Sequence, residues 1–259
     1  MTCRYALELA YRGTNYHGWQ IQPNASSVQE EIERRLTQLM GNSQVSVVGC
    51  GRTDTGVHAS YYVLHFDCER ELDTDQLVYK LNKMLPEDLS IMSAQSVTEE
   101  FHARFSAVSR TYHYFVHQKK NPFALDSYHL TQTVDFEAMN RAAKHLLGKQ
   151  DFTSFSKLHT DVKTNICTVS EAKWHQLTAD SWYFEITADR FLRNMVRAVV
   201  GTLLDVGYGN LTEADIPLII RSKDRGEAKL SVPAKGLFLV DIRYPDALFV
   251  RLKELDLGN

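Results

Sequence analysis

The sequence predicts an α+β protein built from two tandem ferredoxin-like units, each β-α-β-β-α-β, joined into one mainly antiparallel sheet with helices on one face. Three observations carry that prediction. Short alternating segments such as Arg4 to Tyr11 read as half-buried strands. Helical stripes with identifiable caps fall between them. The order strand, helix, strand, strand, helix, strand then occurs twice along the 259 residues, without any repeat in the letters themselves.

The first unit is read as follows. In Arg4 to Tyr11, the residues Tyr5, Leu7, Leu9 and Tyr11 fall on one side of a strand. Ser27 and Glu30 form a capping box that opens a helix. Its apolar stripe is Val28, Ile32, Leu36 and Met40, and Gly41-Asn42 stops it. Val45 to Val48 and Tyr61 to Phe66 are strands. Thr74 to Leu85 is a helix with Leu77, Leu81 and Leu85 on one side, and Leu89 to Ser96 is a further strand.

The second unit repeats the order with Ala107 to Val116, Phe136 to Leu147, Cys167 to His175, Trp182 to Thr187, Leu192 to Val206 and Leu237 to Ile242. A shorter helix spans Glu213 to Ile220, and Gly148 stops the Phe136 to Leu147 helix. His117 to Asp135 and Asp151 to Asn165 read as long surface connections, a class that often carries function. A short helix is expected beyond Tyr244. The expected division is residues 1–104, an N-terminal subdomain, and 105–259, a C-terminal one completing a cleft.

Composition narrows the function classes. A hydrophobic content of 44% supports a packed core and argues against disorder. No apolar run reaches the length of a membrane span, and the N-terminus lacks a secretory pattern, so a cytoplasmic protein is expected. Cys3, Cys50, Cys68 and Cys167 are scattered, which favours free thiols in a reducing compartment over zinc or disulfides. The net charge of −3 argues mildly against nucleic acid, but the distribution argues for it. Phe101 to Lys120 contains Arg104, Arg110, Lys119 and Lys120 and no acid, while Arg190, Arg193 and Arg197 form a second cluster. Binding responds to the local field rather than the sum. Solvated faces are the plainer reading of both clusters.

Three stretches could carry chemistry. Gly49 to Ala59 places Asp54 in a glycine-lined bend with Arg52 and His58 nearby. Glycines allow close backbone approach or positive φ, and backbone N–H groups in such a bend can keep a carboxylate ionised. A plain turn is the ordinary alternative. The stretch is no dinucleotide loop, because Asp54 stands at the third glycine of G-x-G-x-x-G, and the chain has no P-loop. Asp54-Thr55-Gly56 matches the aspartic-protease triplet. That chemistry needs two such carboxylates, and this chain has one triplet, so a dimer would have to supply the second. Phe101 to Tyr114 interleaves aromatic and basic residues, including Arg110 and Tyr112, the combination that stacks bases and holds phosphates. An ordinary strand with core aromatics, Tyr114 among them, is the alternative. Phe191 to Arg197 places Arg193 and Arg197 on one helix face, with Arg197 inside an apolar run where it needs a partner or a cleft rim. Asp54 is the natural candidate.

Taken together, these segments resemble the tRNA pseudouridine synthase A family. The resemblance rests on Tyr11 to Gln20, Ser27-Val28-Gln29, Gly51 to Ala59, Phe105-Ser106-Ala107 with Arg110-Thr111-Tyr112, Met195-Val196-Arg197 with Gly201, and Pro233 to Leu237. It implies the pseudouridine synthase fold, a cofactor-free and metal-free isomerase, and a homodimer bound to tRNA. It implies uridines at positions 38, 39 and 40 of the anticodon stem-loop as targets. By that resemblance Asp54 is the catalytic aspartate and Arg197 its basic partner. Tyr112 stacks on the target base, Leu237 packs beside it, Arg52 touches RNA at the entrance, and Arg110 is a further substrate contact. Arg12, Cys50 and Thr164 depart from the family pattern, where Asp, Ala and Arg are common. A catalytically idle RNA-binding protein on the same platform is the rival reading.

Overall fold

A computed structural model describes residues 2–157 and 164–249. The fold is α+β, and the chain forms two compact units. The first comprises the chain up to Val108 and takes it back from Val240; the second is Ser109–Leu239.

In the first unit β1 (Cys3–Tyr11) buries Tyr5, Leu7, Leu9 and Tyr11 on one face, as expected, but Ala6 and Glu8 on the other face are buried as well, so the centre of the strand is sealed on both sides rather than half-buried. Helix α1 (Val28–Leu39) starts at Ser27, whose hydroxyl accepts from the Glu30 N–H at 3.2 Å. Its buried residues are Val28, Ile32 and Leu36. Strands β2 (Val47–Gly49) and β3 (His58–Cys68) follow. Helix α2 (Thr74–Met84) is capped by Asp73, which accepts from the Gln76 N–H at 3.0 Å. β4 (Leu89–Val97) completes the unit. The antiparallel order β4-β1-β3-β2 leaves each strand beside one that is not its chain neighbour, except β2 and β3. This is the expected split β-α-β arrangement.

The face of β1 away from Leu7 and Leu9 carries a polar surprise. Glu8 is buried, and both its carboxylate oxygens are occupied, by the hydroxyls of Tyr61 (2.6 Å) and Ser93. A carboxylate sealed among hydroxyls satisfies the rule that buried charge must be hydrogen-bonded. The β1–β3 register also sets Cys3 opposite Cys68, so two cysteines distant in sequence are cross-strand neighbours, each a free thiol.

In the second unit β5 (Ser109–His117) carries a short parallel partner, β6 (Tyr128–His129). Helix α3 (Phe136–Ala143) is capped by Asp135 and runs into a 3-10 turn, Lys144–Leu146. β7 (Gly148–Asp151), β8 (Ile166–Thr178) and β9 (Ser181–Ala188) give the order β5-β9-β8-β7, with each of these pairs antiparallel. Helices α4 (Met195–Gly207) and α5 (Asp215–Ser222) lead to β10 (Leu237–Arg243), which begins in this unit and ends in the first.

Two sequence readings are corrected. Gly148 does not merely end a helix: at φ +90° it reverses the chain into β7, an edge strand of polar residues that shows no alternation. Helix α4 starts at Met195 rather than Leu192, because Asn194 takes a left-handed φ of +66° just before it. Arg193 therefore precedes the helix and shares no helical face with Arg197. Apart from Arg197 and Asp205, α4 is buried on every side, the signature of a central helix.

The connection expected over Asp151 to Asn165 includes a 3-10 turn, Thr153–Phe155; its residues 158–163 lie outside the described residues. So does the tail from 250 onward. Among the described residues, no helix is long and apolar enough to cross a membrane. Nor do three or more His, Cys, Asp or Glu residues gather there in a way that could hold a metal ion.

Candidate functional site

The candidate residues fall on both units. Arg52 and Asp54 lie in the first, between β2 and β3; Arg110, Tyr112, Arg197 and Leu237 lie in the second.

The Asp54 bend rests on an aromatic floor. The Trp19 indole stacks on the Tyr62 ring at 4.1 Å, and Tyr11 meets Tyr62 edge-on at 5.6 Å. Gly49 is required there, since a Cβ at that position would lie 2.2 Å from the Tyr62 hydroxyl and 2.5 Å from the indole. The Tyr62 hydroxyl donates to the Gly51 carbonyl, and burial pushes that phenol well above its ordinary pKa. Gly51 itself keeps open space around it.

The peptides on either side of Asp54 are pinned. The Thr53 hydroxyl bonds to the Tyr11 hydroxyl at 2.9 Å, and its carbonyl accepts from the Trp19 N–H at 3.4 Å. The Asp54 carbonyl accepts from the Val57 N–H at 3.1 Å. Gly56, at φ +76°, donates to the Tyr16 carbonyl. His58 is fully buried, and its Nδ1 accepts from the Gly13 N–H at 3.1 Å, so it serves as scaffold. Within this rigid bend Asp54 is half-buried and Arg52 is exposed. A carboxylate so held can act as nucleophile or base on a molecule arriving from solvent.

In the second unit, Tyr112 lies on β5 opposite Ile186 of β9. Its ring meets Phe191 edge-to-face at 5.1 Å. Phe191 was legible as an aromatic in the Phe191 to Arg197 stretch, but its contact with Tyr112 is a tertiary event. Arg110 Nη1 donates to the Asp189 carbonyl at 2.9 Å, which anchors that side chain at the β9 end. Arg197 Nε donates to the Val232 carbonyl at 2.8 Å, and the Arg197 carbonyl accepts from the Val232 N–H. The neighbouring Pro233 carbonyl accepts from the Tyr114 hydroxyl at 2.8 Å. Burial raises the Tyr114 phenol above its ordinary range, and the Arg197 charge opposes that rise. Tyr114 is thus the core residue expected of it. Gly236 sits against the Tyr114 ring, and Leu237, buried, follows directly.

The three departures from the family pattern are also placed. The Arg12 N–H donates to the Asp88 carbonyl, Cys50 is buried with its N–H on the Val63 carbonyl, and the Thr164 hydroxyl accepts from the Ile166 N–H.

Comparison with known proteins adds a second line. A family profile described as tRNA pseudouridine synthase matches residues 9–106 and 142–245. A protein of Bacteroides thetaiotaomicron named tRNA pseudouridine synthase A is 52% identical over 95% of this chain and 92% of its own length. Proteins of the same name from Parabacteroides distasonis and Bacillus subtilis are 53% and 38% identical, covering 95% and 93% of this chain and 98% and 99% of theirs.

The chain belongs to the tRNA pseudouridine synthase A family.

Membership makes it an isomerase acting on tRNA. The matched spans include the Asp54 bend, with its supports Tyr11, Trp19 and Tyr62, and the α4–β10 region with Arg197 and Leu237. They do not include residues 107–141, where Arg110 and Tyr112 stand.

Proposed function

We propose that this protein converts uridine to pseudouridine in the anticodon stem-loop of tRNA, at positions 38, 39 and 40, with Asp54 as the catalytic carboxylate. The observation that carries the reading is the Asp54 bend: a half-buried acid whose own carbonyl accepts from Val57 and whose neighbour Thr53 is held through its carbonyl by Trp19 and through its hydroxyl by Tyr11.

The reaction breaks the N1–C1′ bond, turns the uracil, and joins C5 to C1′; the C5 proton leaves and N1 gains one. Substrate and product are isomers, so no external electrons or atoms are needed. Asp54 attacks the sugar or base, or takes a proton from C2′ on a glycal route. The target uridine leaves its stack at a cost of about a few kcal/mol. Stacking on Tyr112 offsets part of it, at about 1–3 kcal/mol. In this reading Arg197 orients Asp54, Leu237 packs beside the base, and Arg52 and Arg110 hold RNA. The enzyme works in the cytoplasm as a homodimer on one tRNA.

Tritium release from C5-labelled tRNA tests the assignment. Asp54→Asn is expected to abolish release while tRNA binding persists; substantial release by that variant removes Asp54 from the role. Carbodiimide mapping of the treated tRNA reads out which positions change.

A further inference from the structure

The loop after β4 holds an aromatic ring out into solvent by construction. Phe105 is 76% exposed, yet its neighbours Phe101 and Ala103 are fully buried. Lone exposed apolar residues are common and usually mean nothing. This one is fixed by four bonds in five residues. His102 Nδ1 accepts from the N–H groups of both Arg104 and Phe105, each at 3.2 Å. The His102 N–H donates to the Ser106 hydroxyl at 3.0 Å, and the Ser106 N–H returns to the His102 carbonyl at 2.9 Å.

The base of the loop is anchored as well. The Ala103 N–H donates to His65 Nδ1 at 3.1 Å, and its carbonyl accepts from the Tyr244 hydroxyl at 2.6 Å. The His102 ring backs the Phe105 ring at 4.3 Å, and the Arg104 guanidinium lies 5.5 Å from its centroid. Burial, followed by the charges of Arg4 and Arg104, holds His102 below the usual histidine pKa, so near neutral pH the backing ring carries no charge.

We propose that Phe105 and Arg104 form a stacking site for an unpaired base of the tRNA, other than the uridine undergoing reaction. The inference rests on tRNA being the substrate. A flat ring with a guanidinium beside it offers a base a π-face and its phosphate a cation, the pairing that single-stranded nucleic acid recognition uses. The preformed loop means little ordering is lost on binding. Any partner covering Phe105 desolvates Arg104, and RNA compensates that loss with its own phosphates, whereas an apolar protein surface does not.

The test compares Phe105→Ala and Phe105→Trp with the parent, using a full-length tRNA transcript. Phe105→Ala is expected to bind tRNA about 5- to 150-fold more weakly, the equivalent of one base stack. Its single-turnover rate at saturating tRNA should be unchanged, and its melting temperature unaltered because the ring is exposed. Phe105→Trp should restore binding. A Phe105→Ala variant that binds within about twofold of the parent overturns the site. So does a variant whose oligomeric state changes by sedimentation, since the ring would then be a protein contact. If the parent itself binds no tRNA, the substrate reading fails first and this one with it; if the parent binds and converts tRNA, the outcome bears on Phe105 alone.

Discussion

Gly18 and Thr53 are in backbone contact: a Cβ on Gly18, which stands at φ +91°, would lie 2.3 Å from the Thr53 carbonyl oxygen and 3.2 Å from the Asp54 carbonyl carbon. The atoms that would be struck are main chain, so no side chain can swing away. Gly18→Ala should therefore displace the bend as well as strain its own residue, costing about 2–4 kcal/mol of stability. Turnover should fall further than melting temperature alone accounts for. Calorimetry with single-turnover kinetics checks this, and a variant that is stable and fully active shows that the bend tolerates the shift.

Tyr62 supports the same bend from below. Its hydroxyl donates to the Gly51 carbonyl, while its ring stacks on Trp19. Tyr62→Phe keeps the stack and removes the donor. Gly51 is only half-buried, so solvent recovers part of the loss, and a cost of about 1 kcal/mol is expected. That corresponds to a melting shift of about 2–4 °C. Because Arg52 and Asp54 follow Gly51 directly, the variant should also lose activity. Unchanged kinetics with lowered stability would confine Tyr62 to a structural role.

His65 makes stability depend on pH. Its Nδ1 accepts from the Ala103 N–H, so protonation would remove an acceptor already in use. Burial first, then the charges of Arg4 and His102, depress its pKa from 6.5 to about 4. Between those values the unfolded chain binds a proton that the folded one refuses, so stability falls as pH drops from about 6.5 to about 4 and is unaffected by this group above that window. His102, His113 and His117 are also depressed and act in the same direction. The comparison is thus between parent and His65→Gln, which keeps an acceptor without the titration. The parent's melting temperature should fall more steeply over that range. Equal slopes would mean that His65 takes up its proton alike in the folded and the unfolded chain.

What could be read from the letters follows the range of the interactions involved. The β1 strand and the Ser27–Glu30 cap are local, and both appear where expected, although β1 is buried on both faces because Ala6 and Glu8 are covered too. β7 was not legible, because Gly148-Lys149-Gln150-Asp151 is a polar edge strand whose existence depends on β8, some twenty residues later. The α4 start was misread because nothing in Leu192-Arg193-Asn194 signals that Asn194 turns left-handed. At the candidate site, the glycine-rich bend around Asp54 stood out in one stretch of chain. Its floor of Tyr11, Trp19 and Tyr62 did not, since those rings meet only through tertiary packing. His58 stands near Asp54 in the sequence, but the bond it accepts from the Gly13 N–H makes it part of the scaffold.

Arg197 tests how far a charge can be exchanged. It is half-buried in a helix that is otherwise nearly all sealed, and it is tied to Val232 through both its Nε and its carbonyl. With Nε committed, the planar guanidinium has a fixed orientation, and its terminal nitrogens face one direction. Lysine carries the same charge on a flexible stem and has no Nε–H with which to hold the Val232 carbonyl while its charged end lies elsewhere. Arg197→Lys should therefore fold, because the charge and most of the apolar stem survive; if Arg197 pairs with Asp54 as proposed, the variant should also lose about 1.5–3 kcal/mol of charge-assisted hydrogen bonding. Single-turnover conversion of saturating tRNA should slow by about 10- to 100-fold. Arg197→Met, which removes the charge, should do worse in turnover than in melting temperature. Were Arg197→Lys to convert tRNA at the parent rate, a point charge would suffice, and the guanidinium would be holding the 232–233 segment in place rather than serving the reaction.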